Sequence, residues 1–159
     1  MALLNEGIVG EAIELTLPSI RLTVARYSWG PKGVVIGVDA KGLEAPYLHV
    51  MEELGPEEEW AIKWGMKSNF RQIALNKAAI ARRYGTTSWH VVSQSPWMLE
   101  EGDFFYRGGV AEDTDLAVGI SGSYGEVDET MAWGVWNWIA GLCNLKISEF
   151  RAAGLNRLP

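Results

Sequence analysis

A chain of 159 residues, 48% apolar and with a formal net charge of −6, is long enough for one well-buried core and too short to need two. No basic surface dominates, which argues against nucleic acid as a partner. No apolar run approaches the roughly 20 residues of a membrane span. The single cysteine, Cys143, excludes an internal disulfide and a cysteine-built metal site, and reads as a small packing residue. Eight tryptophans are the oddity, because large flat apolar side chains gather at interfaces and in pockets for aromatic or polycyclic ligands.

In chain order, residues 1–14 read as an arm with Glu6 and Glu11 and without a basic start. The expectation is a cytoplasmic protein with no leader. Leu17-Pro18-Ser19 suits a helix start, so a short helix is expected over Ile20–Tyr27, ended by Gly30-Pro31-Lys32-Gly33. Val34–Asp39 is a strand, Ala40-Lys41-Gly42 a turn, and Tyr47–Glu52 its antiparallel partner. Alternation puts Tyr47, His49 and Met51 on one face and Leu48 and Val50 on the other. Leu54–Glu58 is a loop or helical turn, and Trp60–Gly65 is expected as another helical turn.

A helix is expected over Ser68–Tyr84, with Ser68 as N-cap and Gly85 as the stop. Lys77 lies in its apolar stripe between Ile73 and Ile80. Such a lysine either snorkels to solvent or is a cation held in an apolar site, able to bind a carboxylate or move a proton. The connector 86–102 carries Trp89, His90, Trp97 and Met98. It is too aromatic for an ordinary loop, so it is expected to be buried as a lid over a ligand.

Leu116–Ile120 is a short apolar strand, and Gly119 and Gly122 leave room for close approach of backbone or ligand. Ser123-Tyr124-Gly125-Glu126 has the form of a capping box, with Asp128 and Glu129 adding first-turn charge. The helix that follows shows a core stripe of Val127, Met131, Gly134, Val135, Trp138 and Leu142. A second stripe of Glu129, Trp133, Trp136 and Ala140 would cover a partner subunit or line a pocket, and the subunit is preferred. Ile147–Ala153 reads as a separate terminal helix.

Several of these pieces, in this order, resemble the GlcG/HbpS-type family, which includes heme-binding proteins and the C-terminal domain of PduO. The matching residues are Val35–Gly42, Asn76-Lys77-Ala78 with Tyr84-Gly85, Gly108-Gly109-Val110, Ala117–Gly122 and Asp128-Glu129. After Gly-Gly-Val the family usually has proline, where this chain has Ala111-Glu112-Asp113. The resemblance implies an α/β (α+β) class, with a profilin-like three-layer α/β/α domain around one antiparallel five-stranded sheet. It also implies a homo-oligomer. On that reading the domain fills 1–159, with 1–14 as an arm and 143–159 as an extension.

The first function expected is binding of heme or another apolar or aromatic small molecule. Heme would take His90 or His49 as its axial ligand, because a neutral imidazole suits the iron. Trp89, Trp97, Tyr106, Arg107, Gly108 and Gly109 join His49 as ligand-binding candidates, with Arg107 able to hold an anion or to pair with Glu100 or Glu101. The alternative is a cofactor-independent isomerase, lyase or hydrolase acting on an aromatic or terpenoid-like molecule. Glu129, Lys77 or His90 would then transfer protons in a tryptophan-lined pocket between the Lys77 helix, Tyr106–Val110 and Trp89–Met98. Glu129, beside Trp133 and Trp136, is the candidate base, whereas Asp128 reads as helix-start electrostatics.

Overall fold

The segment read as an arm is the start of a long helix, α1 (Glu6–Tyr27). Asn5 caps it by accepting the Ile8 amide at 3.1 Å, and Ile8, Val9, Ala12 and Ile13 are buried. Pro18 does not open this helix but sits inside it. A proline there removes one hydrogen bond from the ladder, and Pro18 lies on the exposed side, where the carbonyl it leaves unpaired can meet water. The computed structural model describes residues 3–29, 32–51, 57–60, 62–63, 66–67 and 69–159. The proposed stop at Gly30-Pro31 and the proposed cap Ser68 fall outside them.

The remaining elements are β1 (Val35–Ala40), β2 (Tyr47–Val50), α2 (Glu57–Trp60), β3 (Ile62–Lys63), β4 (Met66–Lys67), α3 (Phe70–Tyr84), α4 (Ser88–Gln94), β5 (Gly109–Ala111), β6 (Leu116–Ser121) and α5 (Gly125–Ala152). The main sheet is four-stranded, in the order β2-β1-β6-β5, and every pair is antiparallel. The expected five strands become four among the described residues, because β3 and β4 pair only with each other. Ile62–Lys63 is thus strand within the stretch 60–65, where a helical turn was expected. α3 begins with Asn69 as its cap, accepting the Gln72 amide, and stops at Gly85. α5 runs unbroken through Leu142, so 143–152 are its last turns and not a separate helix.

The two faces of the sheet differ in bulk. Ile36, Val38, Val110, Val118 and Ile120 point at α1 and α5 and form the larger core with Val9, Ile13, Ile20, Val135 and Ile139. The opposite face meets α3 and carries Gly37, Gly109 and Gly119 with the small side chains Ala111 and Ala117. A Cβ at Gly119 would lie 2.1 Å from the Ala74 carbonyl oxygen, and one at Gly109 would lie 2.1 Å from that of Lys77. α3 therefore rests almost on the strand backbone. Helix, sheet and helix pair make the three layers that were expected.

On α5 the buried stripe is Asp128, Met131, Ala132, Val135, Ile139 and Leu142. Trp138, expected in that stripe, is 45% exposed. Trp133 and Trp136 are half-buried against the chain's own core, stacked edge to face at 5.7 Å, and the Trp136 indole donates to the Leu116 carbonyl at 3.2 Å. Cys143 packs against the same core, and burial pushes its thiol up. Among the described residues, no helix is long and apolar enough to cross a membrane.

Candidate functional site

Because α3 lies so close to the sheet, its inward residues cannot escape to solvent. Lys77 is 3% exposed, and its ammonium donates to the Ile120 carbonyl at 2.7 Å and to Asp128 Oδ2 at 3.1 Å. It does not snorkel. Asp128 is 2% exposed, and its Oδ1 accepts the Ser123 amide at 2.9 Å. Burial pushes the Asp128 carboxyl up by more than Lys77 and the amides of Ser123 and Gly122 pull it down. Asp128 is thus an interior partner of Lys77 and more than a first-turn charge.

The capping box does not form. Tyr124 is the N-cap residue of α5 and makes no side-chain capping bond. The Ser123 hydroxyl instead donates to the Tyr27 carbonyl at 3.0 Å, tying the start of α5 to the end of α1. Gly122 makes the turn between β6 and α5 with φ +143°, and a Cβ there would lie 2.4 Å from the Gly33 carbonyl oxygen.

Above the ion pair opens a cleft of about 500 Å³. Its apolar wall comprises Trp29, Phe70, Ile73 and Tyr106. Lys77, Asp128 and Ser121 lie at its base, and Arg107 and Tyr124 stand at the Gly122–Gly125 side. Ser121 is 4% exposed. The Lys77 ammonium sits 6.0 Å from the centre of the Tyr106 ring.

The segment that carries Tyr106 is pinned at both ends. Asp103 accepts Arg83 at 2.8 Å, Asn76 at 2.9 Å and the Glu100 amide at 2.9 Å, while Asn76 accepts the Phe104 amide at 2.8 Å. Burial pushes the Asp103 carboxyl up, but these donors together outweigh it and hold it below the usual carboxylate range. At the other end, the fully buried Ser88 hydroxyl donates to the Tyr106 carbonyl and accepts the Gly109 amide, each at 3.0 Å. Phe104 and Tyr106 stack at 5.9 Å.

Lys77, Tyr106 and Arg107 therefore come together as the sequence suggested. Arg107, however, forms a two-pronged ion pair with Glu129, at 3.0 and 3.2 Å, and lies 3.6 Å from Glu126. Its expected partners Glu100 and Glu101 are not used. The Glu129 bonds raise the Arg107 guanidinium further, and Glu129 itself is a paired carboxylate and not a base among tryptophan rings. Gly108 and Gly109 make room for Lys77 and Asp128 and not for a ligand: a Cβ at Gly108 would lie 2.9 Å from both side chains.

The aromatic connector is not a lid over this cleft. It forms α4 and a helical turn at Pro96–Met98, and α4 buries only Ser88 and Val91. Trp89 is 41% and Trp97 78% exposed, and His90 is exposed. His49 lies on β2 facing the α1/α5 layer with Tyr47 and Met51, and its Nε2 is buried without a partner among the described residues. Neither histidine lines the cleft, so a histidine-ligated heme does not fit there. The tryptophan-lined pocket becomes a cleft with Trp29 as the tryptophan among its described lining. The sequence reading missed Trp29, Phe70, Ser121 and the role of Asp128. The apolar stripe of α3 carried the one usable signal, since Phe70 and Ile73 precede Lys77 on it.

Neither a family model nor a curated protein matches the sequence. A solved structure matches in shape: the crystal structure of Klebsiella pneumoniae protein ORFY, described by the family model DUF336. The superposition has a TM-score of 0.53 at 19% identity and covers 88% of this chain and 90% of that one. DUF336 is the model of the GlcG/HbpS-type family. The chain thus shares a fold with the family its motifs resemble.

Proposed function

We propose that the protein binds a small neutral ring compound bearing a carbonyl or hydroxyl group, seated in the cleft over Lys77 and Asp128. The observation that carries this reading is an ion pair whose two members are almost wholly buried yet line an open cleft. As a stabilising device such a pair is poor, since desolvation offsets the attraction and apolar residues of equal volume often serve as well. At the base of an apolar cleft it supplies the few polar groups that orient a ligand. The preference for a neutral ligand follows from the pairing. Lys77 already holds Asp128 and Arg107 already holds Glu129, so a carboxylate ligand would have to displace one of them. Heme, expected from the resemblance, gains no support from the cleft.

Calorimetric titration with 2-indanone and with the anion indane-2-carboxylate tests this. The ketone is expected to bind and the acid to bind more weakly. Tyr106→Ala should weaken the ketone by roughly 1–3 kcal/mol through lost aromatic burial. Equal affinity for both compounds, or affinity indifferent to Tyr106→Ala, would remove the reading.

A second reading, a cofactor-independent acid–base enzyme, is favoured by the basicity that burial gives Asp128. Self-association belongs to the same proposal and is supported by the exposed apolar side chains Leu15, Leu22 and Trp138 on α1 and α5. Light scattering that gives the 17.6 kDa of one chain would end that part.

A further inference from the structure

One further polar group stands at the base of the cleft. Ser121 ends β6, is 4% exposed and lines the cleft. It stands beside Ile120, whose carbonyl receives the Lys77 ammonium, and on the same cleft surface as Asp128. The base therefore holds a carboxylate, an ammonium 3.1 Å from it and a hydroxyl. Those are the parts that enolisation requires: a base for a carbon-bound hydrogen and donors for the oxygen on which charge develops.

Resting on the ligand reading above, we propose that the cleft moves a proton at a carbon adjacent to a ketone carbonyl, with Asp128 as the base and Ser121 and Lys77 holding the oxygen. In this step the C–H bond breaks and its electron pair becomes a C=C bond. The carbonyl π pair moves onto oxygen, which lies against the Ser121 hydroxyl and the Lys77 ammonium. The proton sits on Asp128 Oδ2 and returns to the same carbon, giving exchange, or to a conjugated carbon, giving an isomer. Nothing is oxidised or reduced, and no co-reactant enters.

The local chemistry supports each role. Burial keeps the Asp128 carboxyl above its ordinary range, nearer the working pH of a general base. The Lys77–Asp128 separation is comparable with the span of an O=C–C–H fragment, so one substrate can meet both groups. Trp29, Phe70 and Tyr106 supply apolar walls on which a ring attached to the ketone can rest. An aspartate base facing oxygen-holding donors in an apolar site is the arrangement by which ketosteroid isomerase moves protons.

The test uses the full chain with 2-indanone in deuterium oxide, following loss of the α-hydrogen signal by NMR, with binding of the same ketone measured by saturation transfer. The wild type should exchange deuterium well above a buffer control. Asp128→Asn should lower the rate by on the order of 100-fold or more, the range of a lost general base, while keeping ketone binding. Ser121→Ala removes one small hydroxyl at the end of a strand, so it should fold normally and lower the rate by on the order of 100-fold. It decides the matter alone if Asp128→Asn does not fold. Binding without exchange above buffer would overturn this inference and leave the ligand reading standing. Absence of binding would overturn both, and exchange indifferent to either substitution would overturn the proton-transfer assignment.

Discussion

The two faces of the sheet solve the same packing problem in opposite ways. Toward α1 and α5, branched side chains such as Ile36, Val118 and Ile120 fill the space between layers. Toward α3, glycine and alanine remove the space, and the helix comes down onto backbone. The first solution tolerates adjustment, because side chains can shift rotamer. The second does not, but it carries a polar helix residue to the middle of the molecule. Gly109 and Gly119 let α3 come down onto the strands, and a Cβ at Gly108 would lie 2.8 Å from the Ile120 carbonyl oxygen and 2.9 Å from the Lys77 ammonium that meets it. The bulky face holds the larger core, and the bare face holds the buried ion pair.

The largest effect should come from splitting the ion pair on the bare face. Asp128→Ala strands the Lys77 ammonium in the interior and should cost about 3–5 kcal/mol in urea denaturation. The double change Lys77→Met with Asp128→Leu should recover most of that loss. If the double variant is no more stable than Asp128→Ala, the pair is a structural necessity and the division between the two faces fails.

Next come substitutions on neighbouring residues that face opposite ways. Gly119→Ala drives a Cβ into the Ala74 carbonyl and should cost about 3 kcal/mol, the upper end of ordinary overpacking. Ile120→Val, on the filled face, should cost about 0.5–1.5 kcal/mol. A reversed order in the same denaturation series would mean that α3 can lift away from the sheet.

The smallest effect concerns pH. Asp103 has a folded pKa below its unfolded value, so its stabilisation is complete above the ordinary carboxylate range. It is lost as pH falls through the lowered folded value. Asp103→Asn should therefore flatten the acid limb of the stability curve by lowering its neutral plateau, while leaving stability at the acid end nearly unchanged. An unchanged acid limb would show that the clamp on Phe104 and Tyr106 does not depend on that charge.

Much of this architecture was legible where the pattern is local. The α3 stripe, its stop at Gly85, the β1 and β6 runs and the alternation along β2 all follow from periods of 3.6 and 2, and the glycines signalled close approach correctly. What escaped the sequence depends on distance along the chain. Nothing near Asp128 announces Lys77, because first-turn aspartates are ordinarily solvent-facing and the partner arrives from another element. Pro18 obscured the first turns of α1, since proline opens helices more often than it sits exposed within one. The tryptophans misled by number. Trp133 and Trp136 pack on their own core, and Trp89 and Trp97 face outward, so aromatic content alone did not locate the cleft.

The register of the central strands bears on how the molecule comes into being. β1 lies between β2 and β6, and Val35 pairs with Ser121, a partner from the opposite half of the chain. During synthesis, α1 and the first hairpin would leave the ribosome long before β6 existed to cover them. The inner edge of β1 would wait unpaired, as would the apolar side of α1 that later meets α5. Such non-local pairing makes folding slow relative to helical bundles. A chain interrupted before Leu116 would present an open strand edge, the kind of surface on which chaperones act and aggregates start.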